Sequence, residues 1–297
     1  MEFKNHIFDA INDKRIFYAI LINGMIFEKT CLFFSNKGFC NFSLPSLSKC
    51  LFKKDNIISL NLDGDEASLS SSHAMEISAL SSIYGKVYSV NNCYRCKEKK
   101  DKNHLIEFKL LEVEFEIKSE REIFDLLVEY LKFMVDCYNS FLLEHNLLSF
   151  FEPKNINFVD KINYVDISSL FKEYNDYDFV DNELTSLLSD LTFVLYYPCT
   201  GSWRALKKDS NTSYLYNLIL PDGFGELAEF SIRETDYRFY QKKFDFLGYE
   251  KDYAWYIEAL KQNAGKRAGF GIGLERLGAW LMNLKSIDTQ LSFSVLP

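Results

Sequence analysis

Apolar residues recur at helical spacing from Arg15 to Lys37, and Gly38 follows where a left-handed cap would end a helix. From Lys86 to Ile117 the period shortens. Leu111, Val113, Phe115 and Ile117 alternate with Glu112, Glu114 and Glu116, which predicts a strand with one buried face. The preceding KVYSVNNCYRC is also strand-like, and the charged connector from Lys97 to Asn103 predicts an antiparallel hairpin with a long loop. Ser119 and Glu122 have the spacing of a capping box and open a helix reaching about Leu143. Beyond Leu191, the runs LTFVLYY, SYLYNLIL and ELAEFSIR predict more strands. A glycine-rich strand then enters a helix from Leu274 to Asn283. The polar stretch from Asp63 to Ser72 is expected to be a long loop. Hairpin-type connections with long helices at the start and middle predict an α+β fold on an antiparallel sheet flanked by helices.

Proline is scarce and no Gly/Ser-rich or Pro-rich linker interrupts the chain, so residues 1–297 are expected to form one domain. The 27 Phe and 18 Tyr supply a large core and exclude a disordered chain. A net charge of −8 argues against a broad nucleic-acid-binding face, because phosphate binding needs clustered Lys and Arg. The longest apolar run, Ile16 to Ile22, is far shorter than the ~18 residues of a membrane span, and no secretory signal pattern opens the chain. Seven cysteines at irregular spacing fit a reducing compartment, so a cytoplasmic protein without membrane contact is expected.

The sharpest string is GFGIGLERLGAW. Gly269, Gly271 and Gly273 allow close backbone packing or close approach of a ligand, and Arg276 follows on the first turn of a helix. Too few residues remain after Gly273 for a dinucleotide-binding unit. In CYRCKEKKDKNHLIEF, Arg95, His104 and Phe108 together would suit two phosphate groups and a base, although KEKKDK also reads as a solvated hairpin tip. Cys93 and Cys96 have no second pair at ligand spacing, so zinc is not expected.

Together these strings resemble the catalytic core of class II aminoacyl-tRNA synthetases of the asparaginyl/aspartyl and lysyl subgroup. GFCNFSLPSL resembles the first motif, which ends at a proline, here Pro45, and builds a dimer interface. VYSVNNCYRCKEKKDKNHLIEFKLLEVEF resembles the second motif and GFGIGLERL the third. GELAEFSIRE resembles the strand that binds metal and amino acid. The matches stand in family order, and their agreement is more specific than any one of them. The resemblance implies an antiparallel class II sheet, ATP and Mg²⁺ as cofactors, and a homodimer. It implies that Arg95 and Arg276 act on the phosphates, with His104 near the β/γ-phosphates and Phe108 under adenine. It implies Glu226 and Ser231 as Mg²⁺ ligands, Glu226 thus standing within the ATP site, and Arg233 on the substrate's side-chain oxygen.

Several positions depart from the pattern. Lys97 replaces a glutamate that reads adenine, leaving the adjacent Glu98 as the available carboxylate. Asn103 replaces an arginine. Leu218 falls near an expected metal-binding aspartate, with Asn217 beside it. Glu229 and Phe230 replace two glycines on the pocket floor, and Ala74 replaces a glutamine that holds the substrate amino group. His73, next to Ala74, joins Arg233, Glu229 and Phe230 among the expected substrate-binding residues. The first motif begins close to the start of the chain, so an anticodon-binding domain is not expected.

Three functions fit this pattern. The first is an AMP-forming ligase that activates an Asp/Asn-like amino acid and transfers it to a small amine or ammonia, as the archaeal asparagine synthetase related to the asparaginyl enzyme does. The second is a tRNA-charging synthetase, with tRNA the less expected partner. The third is a degenerate binding or regulatory paralogue.

Overall fold

The structure is a computed structural model that describes residues 2–48, 57–96, 104–156, 162–168, 190–263 and 265–297. In chain order the elements begin with β1 (Glu2–Asn5), α1 (Ile7–Asn12), α2 (Lys14–Asn36), β2 (Cys40–Asn41), β3 (Leu47–Ser48), β4 (Ser59–Leu62) and β5 (Asp65–Leu69). They continue with α3 (Ala74–Tyr84), β6 (Val87–Tyr94), β7 (Glu107–Glu116), α4 (Arg121–Glu144), β8 (Ile162–Asp166) and β9 (Leu191–Leu195). The remainder is β10 (Leu215–Leu220), β11 (Gly225–Ile232), α5 (Tyr237–Leu247), α6 (Ala254–Gln262), β12 (Arg267–Gly273), α7 (Leu274–Met282) and β13 (Phe293–Leu296).

The central sheet has the order β2-β6-β7-β12-β11-β10-β9-β8 and is antiparallel except at its two edges, β2–β6 and β8–β9. Its first face packs on α2, α4 and α7, where Phe34, Tyr130, Phe124, Phe193 and Phe230 interlock. Its second face lies under α3 and the α5–α6 pair, which carry a separate aromatic cluster around Tyr240, Phe244 and Tyr256.

The expected helices and strands form. Asp13 caps α2 by accepting from Arg15 N, and Gly38 ends it at φ +77°. Glu122 accepts the Ser119 N–H at 2.8 Å, as a capping box requires of it, while the Ser119 hydroxyl turns to the Glu122 carboxylate instead of the backbone. β6 and β7 pair as the expected hairpin, from Val87 with Glu114 to Tyr94 with Glu107. The connector Lys97–Asn103, including Lys97, Glu98 and Asn103, lies outside the described residues.

Two expectations fail. Asp63–Ser72 is not a long loop: Asp63 and Gly64 turn at φ 54° and 100°, and the chain returns as β5 between β3 and β4. β7 also has no solvent face before its last residue, the exposed Glu116. Glu112 and Glu114 are 4% and 0% exposed, because α3 and a cavity cover the side of the sheet that the alternation marks as polar.

α2 has the length and composition of a membrane-crossing helix. Here it serves the core: Ile22, Ile26 and Phe34 are buried, and Thr30 shares a 2.8 Å hydrogen bond with Tyr130 of α4.

Candidate active site

The second face of the sheet holds a cavity of about 290 Å³. Cross-strand register builds its floor. Asn217, Glu229, Gly271, Glu112 and Ser89 stand opposite one another across five strands, and Ser231, Gly269 and Glu114 form the next row; of these, Glu229, Gly271, Glu112 and Glu114 reach the cavity. Arg95 at the end of β6, His104 and Phe108 before and on β7, Glu226 and Glu229 on β11, Arg233 just beyond it, and Arg276 on α7 all line this one space.

At one end, the Arg95 guanidinium lies 5.1 Å from the centre of the Phe108 ring, a cation–π distance. Arg276 donates from Nη1 to the Glu226 backbone carbonyl, which ties the first turn of α7 to β11. Glu226 accepts the Asn217 amide at 2.7 Å. Leu218 points the other way, into the core, so Asn217 is the polar neighbour of Glu226. A register shift between Leu218 and Ile219, with Leu227 as the extra residue opposite, turns Glu226 toward the cavity.

The oxygen donors here fit Mg²⁺ in part. The Glu226 carboxylate is suitable, and Asn217 Oδ1 is buried without a hydrogen-bond partner among the described residues. Ser231 does not fit as expected. Its hydroxyl accepts from Arg233 Nη1 at 2.5 Å, so a guanidinium already holds the oxygen a cation would need.

At the other end, Arg233 is buried and its Nε donates to Glu114 Oε2 at 3.1 Å. Burial, then the like charge of Arg204, pull its pKa down, against the opposing charges of Glu114 and Glu229. Gly269 permits this course: a Cβ there would lie 2.6 Å from the Val113 carbonyl and 2.7 Å from Arg233 Nη2. Glu114 also faces Arg267 at 3.5 Å and accepts from Ser81 Oγ at 3.0 Å.

Two more substrate-binding expectations need correction. Phe230 is fully buried on the first face, against Phe124, Phe193 and Tyr216, because neighbours on a strand point to opposite sides and Glu229 takes the cavity side. His73 is buried behind the wall. Its Nε2 is 3.0 Å from the Pro45 carbonyl, and its backbone N–H donates to Glu112 at 2.8 Å. His73, Cys93 and Glu112 converge within 4.8 Å, and burial, then the charge of Glu112, push the Cys93 thiol up, away from a thiolate. His73 therefore holds Glu112 in place behind the cavity wall.

Sequence reasoning missed Glu112, Glu114, Arg204 and Glu275 on the cavity wall. Both Glu275 oxygens accept the Lys109 N–H, at 2.9 and 3.0 Å, yet burial pushes its pKa up to about 7. A raised carboxyl pKa stabilises the fold fully below the ordinary value of 4.5 and loses that contribution as pH rises through about 7. Glu275→Gln should remove this loss, so the variant should gain on wild type by up to about 3 kcal/mol between pH 4.5 and pH 8. Urea melts at both pH values check this, and a gap independent of pH contradicts it.

A ring of cations and carboxylates on a mostly antiparallel sheet, with a glycine-rich strand running into Arg276, is the architecture of a class II synthetase catalytic core. The chain matches the family of class II tRNA synthetases (D, K and N) over residues 1–296, and it belongs to that family of AMP-forming ligases. It is similar to the asparagine–tRNA ligase of Lactobacillus gasseri, at 27% identity over 95% of this chain and 70% of the relative. The Lactobacillus johnsonii enzyme is 26% identical with the same coverage. Among solved structures, the Pyrococcus horikoshii asparaginyl-tRNA synthetase complexed with asparaginyl-adenylate superposes with a TM-score of 0.84 at 21% identity, covering 97% of this chain and 70% of that one. The Entamoeba histolytica enzyme, also with asparaginyl-adenylate, gives 0.80 at 17% identity, covering 95% and 68%.

Proposed function

We propose that residues 1–297 form one catalytic domain that activates an Asp/Asn-like amino acid with ATP and passes the acyl group to a small amine or ammonia. The observation that carries this reading is the convergence of Arg95, His104, Phe108, Glu226, Arg233 and Arg276 on one cavity. A substrate carboxylate oxygen bonds to the α-phosphorus, the bond to the β-phosphate oxygen breaks, and pyrophosphate leaves. Arg95 and Arg276 stabilise the charge that grows on the phosphates. His104 stands at the same end of the cavity for the outer phosphates, and Phe108 offers a face for adenine once Arg95 turns to phosphate. Glu226 and Asn217 are the residues that would hold Mg²⁺, which when bound neutralises phosphate charge.

Arg233 grips the substrate's side-chain oxygen from the far end. Ala74 offers no side-chain hydrogen bond, whereas Glu229 faces the cavity with no ion pair among the described residues, so Glu229 receives the substrate ammonium. With Phe230 turned away, this one carboxylate accounts for the altered floor and favours a substrate whose amino group is displaced or modified relative to aspartate. In the second step the amine nitrogen attacks the acyl carbon, AMP leaves, and the nitrogen loses a proton.

The net charge of −8 supports a small acceptor over an RNA. The tRNA-charging alternative is favoured by the names of the relatives, which are asparagine–tRNA ligases. Amino-acid-dependent exchange of pyrophosphate into ATP, run over a panel that includes β-amino and N-modified acids, tests activation. Transfer of the labelled acid to ammonia or hydroxylamine, against transfer to bulk tRNA, then decides the acceptor. Stable acyl-tRNA, lost in Arg95→Ala, would restore the charging alternative.

The proposal includes a homodimer. Phe3, Phe8 and Ile11 of β1 and α1 are 78%, 73% and 72% exposed, and Phe17, Leu21 and Phe27 of α2 are exposed as well. Apolar surface of this extent favours a self-complementary interface. Sedimentation should give a dimer at micromolar concentration, and a monomer there would reject it.

A further inference from the structure

Arg233 is not the one guanidinium at the amino-acid end. The segment before β10 runs antiparallel to the end of β11: Leu206 N–H donates to the Ile232 carbonyl at 2.8 Å, Ala205 bridges Arg233, and Glu234 N–H donates to the Arg204 carbonyl at 2.9 Å. This pairing sets Arg204 opposite Glu234, one residue from Arg233, and the Arg204 charge acts on Arg233 across the cavity both residues line. The Arg204 side chain is half-buried, lines the cavity, and donates from Nη1 to the Ala74 carbonyl at the start of α3, at 3.1 Å.

The charges around Arg204 are left open. Arg233 has Glu114 at 3.1 Å, but no carboxylate lies within ion-pair distance of Arg204 among the described residues. Glu76 and Arg204 influence each other electrostatically from beyond that distance, and Ile77 adds an apolar wall. Two guanidiniums in a partly buried space repel each other, and an anion between them removes the repulsion. Arginine has donors and no acceptor. A carboxylate can accept from both side chains, whereas a carboxamide must turn its NH₂ donors toward one of them.

We infer that Arg204 is a specificity-determining residue: with Arg233 it receives the side-chain carboxylate of the amino acid, so the site activates an acid of the aspartate class in preference to its carboxamide. This rests on the adenylation reading above. Glu229 takes the ammonium, and the α-carboxylate is left to face the phosphates.

The test compares aspartate with asparagine in pyrophosphate exchange, in wild type, Arg204→Met and Arg204→Lys. Wild type should favour aspartate in kcat/KM by about tenfold or more. Arg204→Met should lose about tenfold or more with aspartate, chiefly in the amino-acid KM, while asparagine and the ATP KM change little. Arg204→Lys should recover part of the loss. A wild-type preference for asparagine, or an equal fall with both acids in Arg204→Met, overturns the inference. Should Arg204→Met fail to fold, the wild-type ratio and the lysine variant decide by the same criteria.

If neither acid supports exchange, adenylation fails separately, and calorimetry with a non-hydrolysable ATP analogue still reads the selectivity. Binding of aspartate over asparagine sustains the inference; binding of asparagine over aspartate, equal binding, or binding of neither overturns it.

Discussion

Arg95→Ala and Arg276→Ala should each lower amino-acid-dependent pyrophosphate exchange about 100-fold, with most of the loss in kcat. On the proposed mechanism each substitution removes a charge-assisted donor to phosphate oxygens whose charge grows in the transition state, a contribution of about 3 kcal/mol. The two arginines reach the cavity from different directions. Arg95 leaves the end of β6 and its backbone N–H donates to the Ile106 carbonyl at 2.8 Å, while Arg276 rises from α7 and is anchored on the Glu226 carbonyl. Because Arg95 rests on the Phe108 face, its removal should leave the ATP KM little changed while turnover falls. Initial-rate kinetics on folded variants check both. Wild-type turnover in Arg95→Ala would contradict the role given to it.

Glu114→Ala should destabilise the fold by about 3–5 kcal/mol. Glu114 is fully buried between two arginines that are themselves buried, Arg233 at 3.1 Å and Arg267 at 3.5 Å. Arg267 already has Nε and Nη2 without a hydrogen bond, so the carboxylate is its principal compensation among the described residues. Removing it leaves two uncompensated cations in the interior, which costs far more than the net worth of an intact pair. The same change frees the Arg233 guanidinium from its 3.1 Å partner, so the amino-acid KM should rise in whatever fraction remains folded. Urea denaturation gives the stability difference. A loss under about 1 kcal/mol would mean that the cluster is not the electrostatic keystone of this face.

Much of this was legible in the chain. α2, the β6–β7 hairpin, α4 and the glycine-rich entry to α7 follow from apolar period, cap residues and glycines close together in sequence. Seven of the expected site residues, Arg95, His104, Phe108, Glu226, Glu229, Arg233 and Arg276, line one cavity because the strings carrying them are local and stand in family order. The inward turn of Phe230 is legible in the chain as well, since strand alternation forbids Glu229 and Phe230 from sharing a face.

The remaining differences depend on tertiary structure. The burial of Glu112 and Glu114 requires α3 and two arginines more than 100 residues away along the chain. Asn217, not Leu218, became the partner of Glu226 through strand pairing, and a register shift no local pattern announces turned Glu226 toward the cavity. Arg204 sits in an irregular segment, and its place near Arg233, across from Glu234, comes from pairing with the end of β11. For Asp63–Ser72, polar composition hid a hairpin whose turn was written in Asp63 and Gly64.

The central claim is that this cavity directs a carboxylate onto the α-phosphorus of ATP. The most direct measurement is product analysis after incubating the protein with ATP labelled at the α-phosphate, Mg²⁺, aspartate and an amine acceptor. The account predicts labelled AMP formed in step with amide and dependent on the amino acid. Labelled ADP with release of inorganic phosphate would contradict it, because attack would then have fallen on the γ-phosphorus.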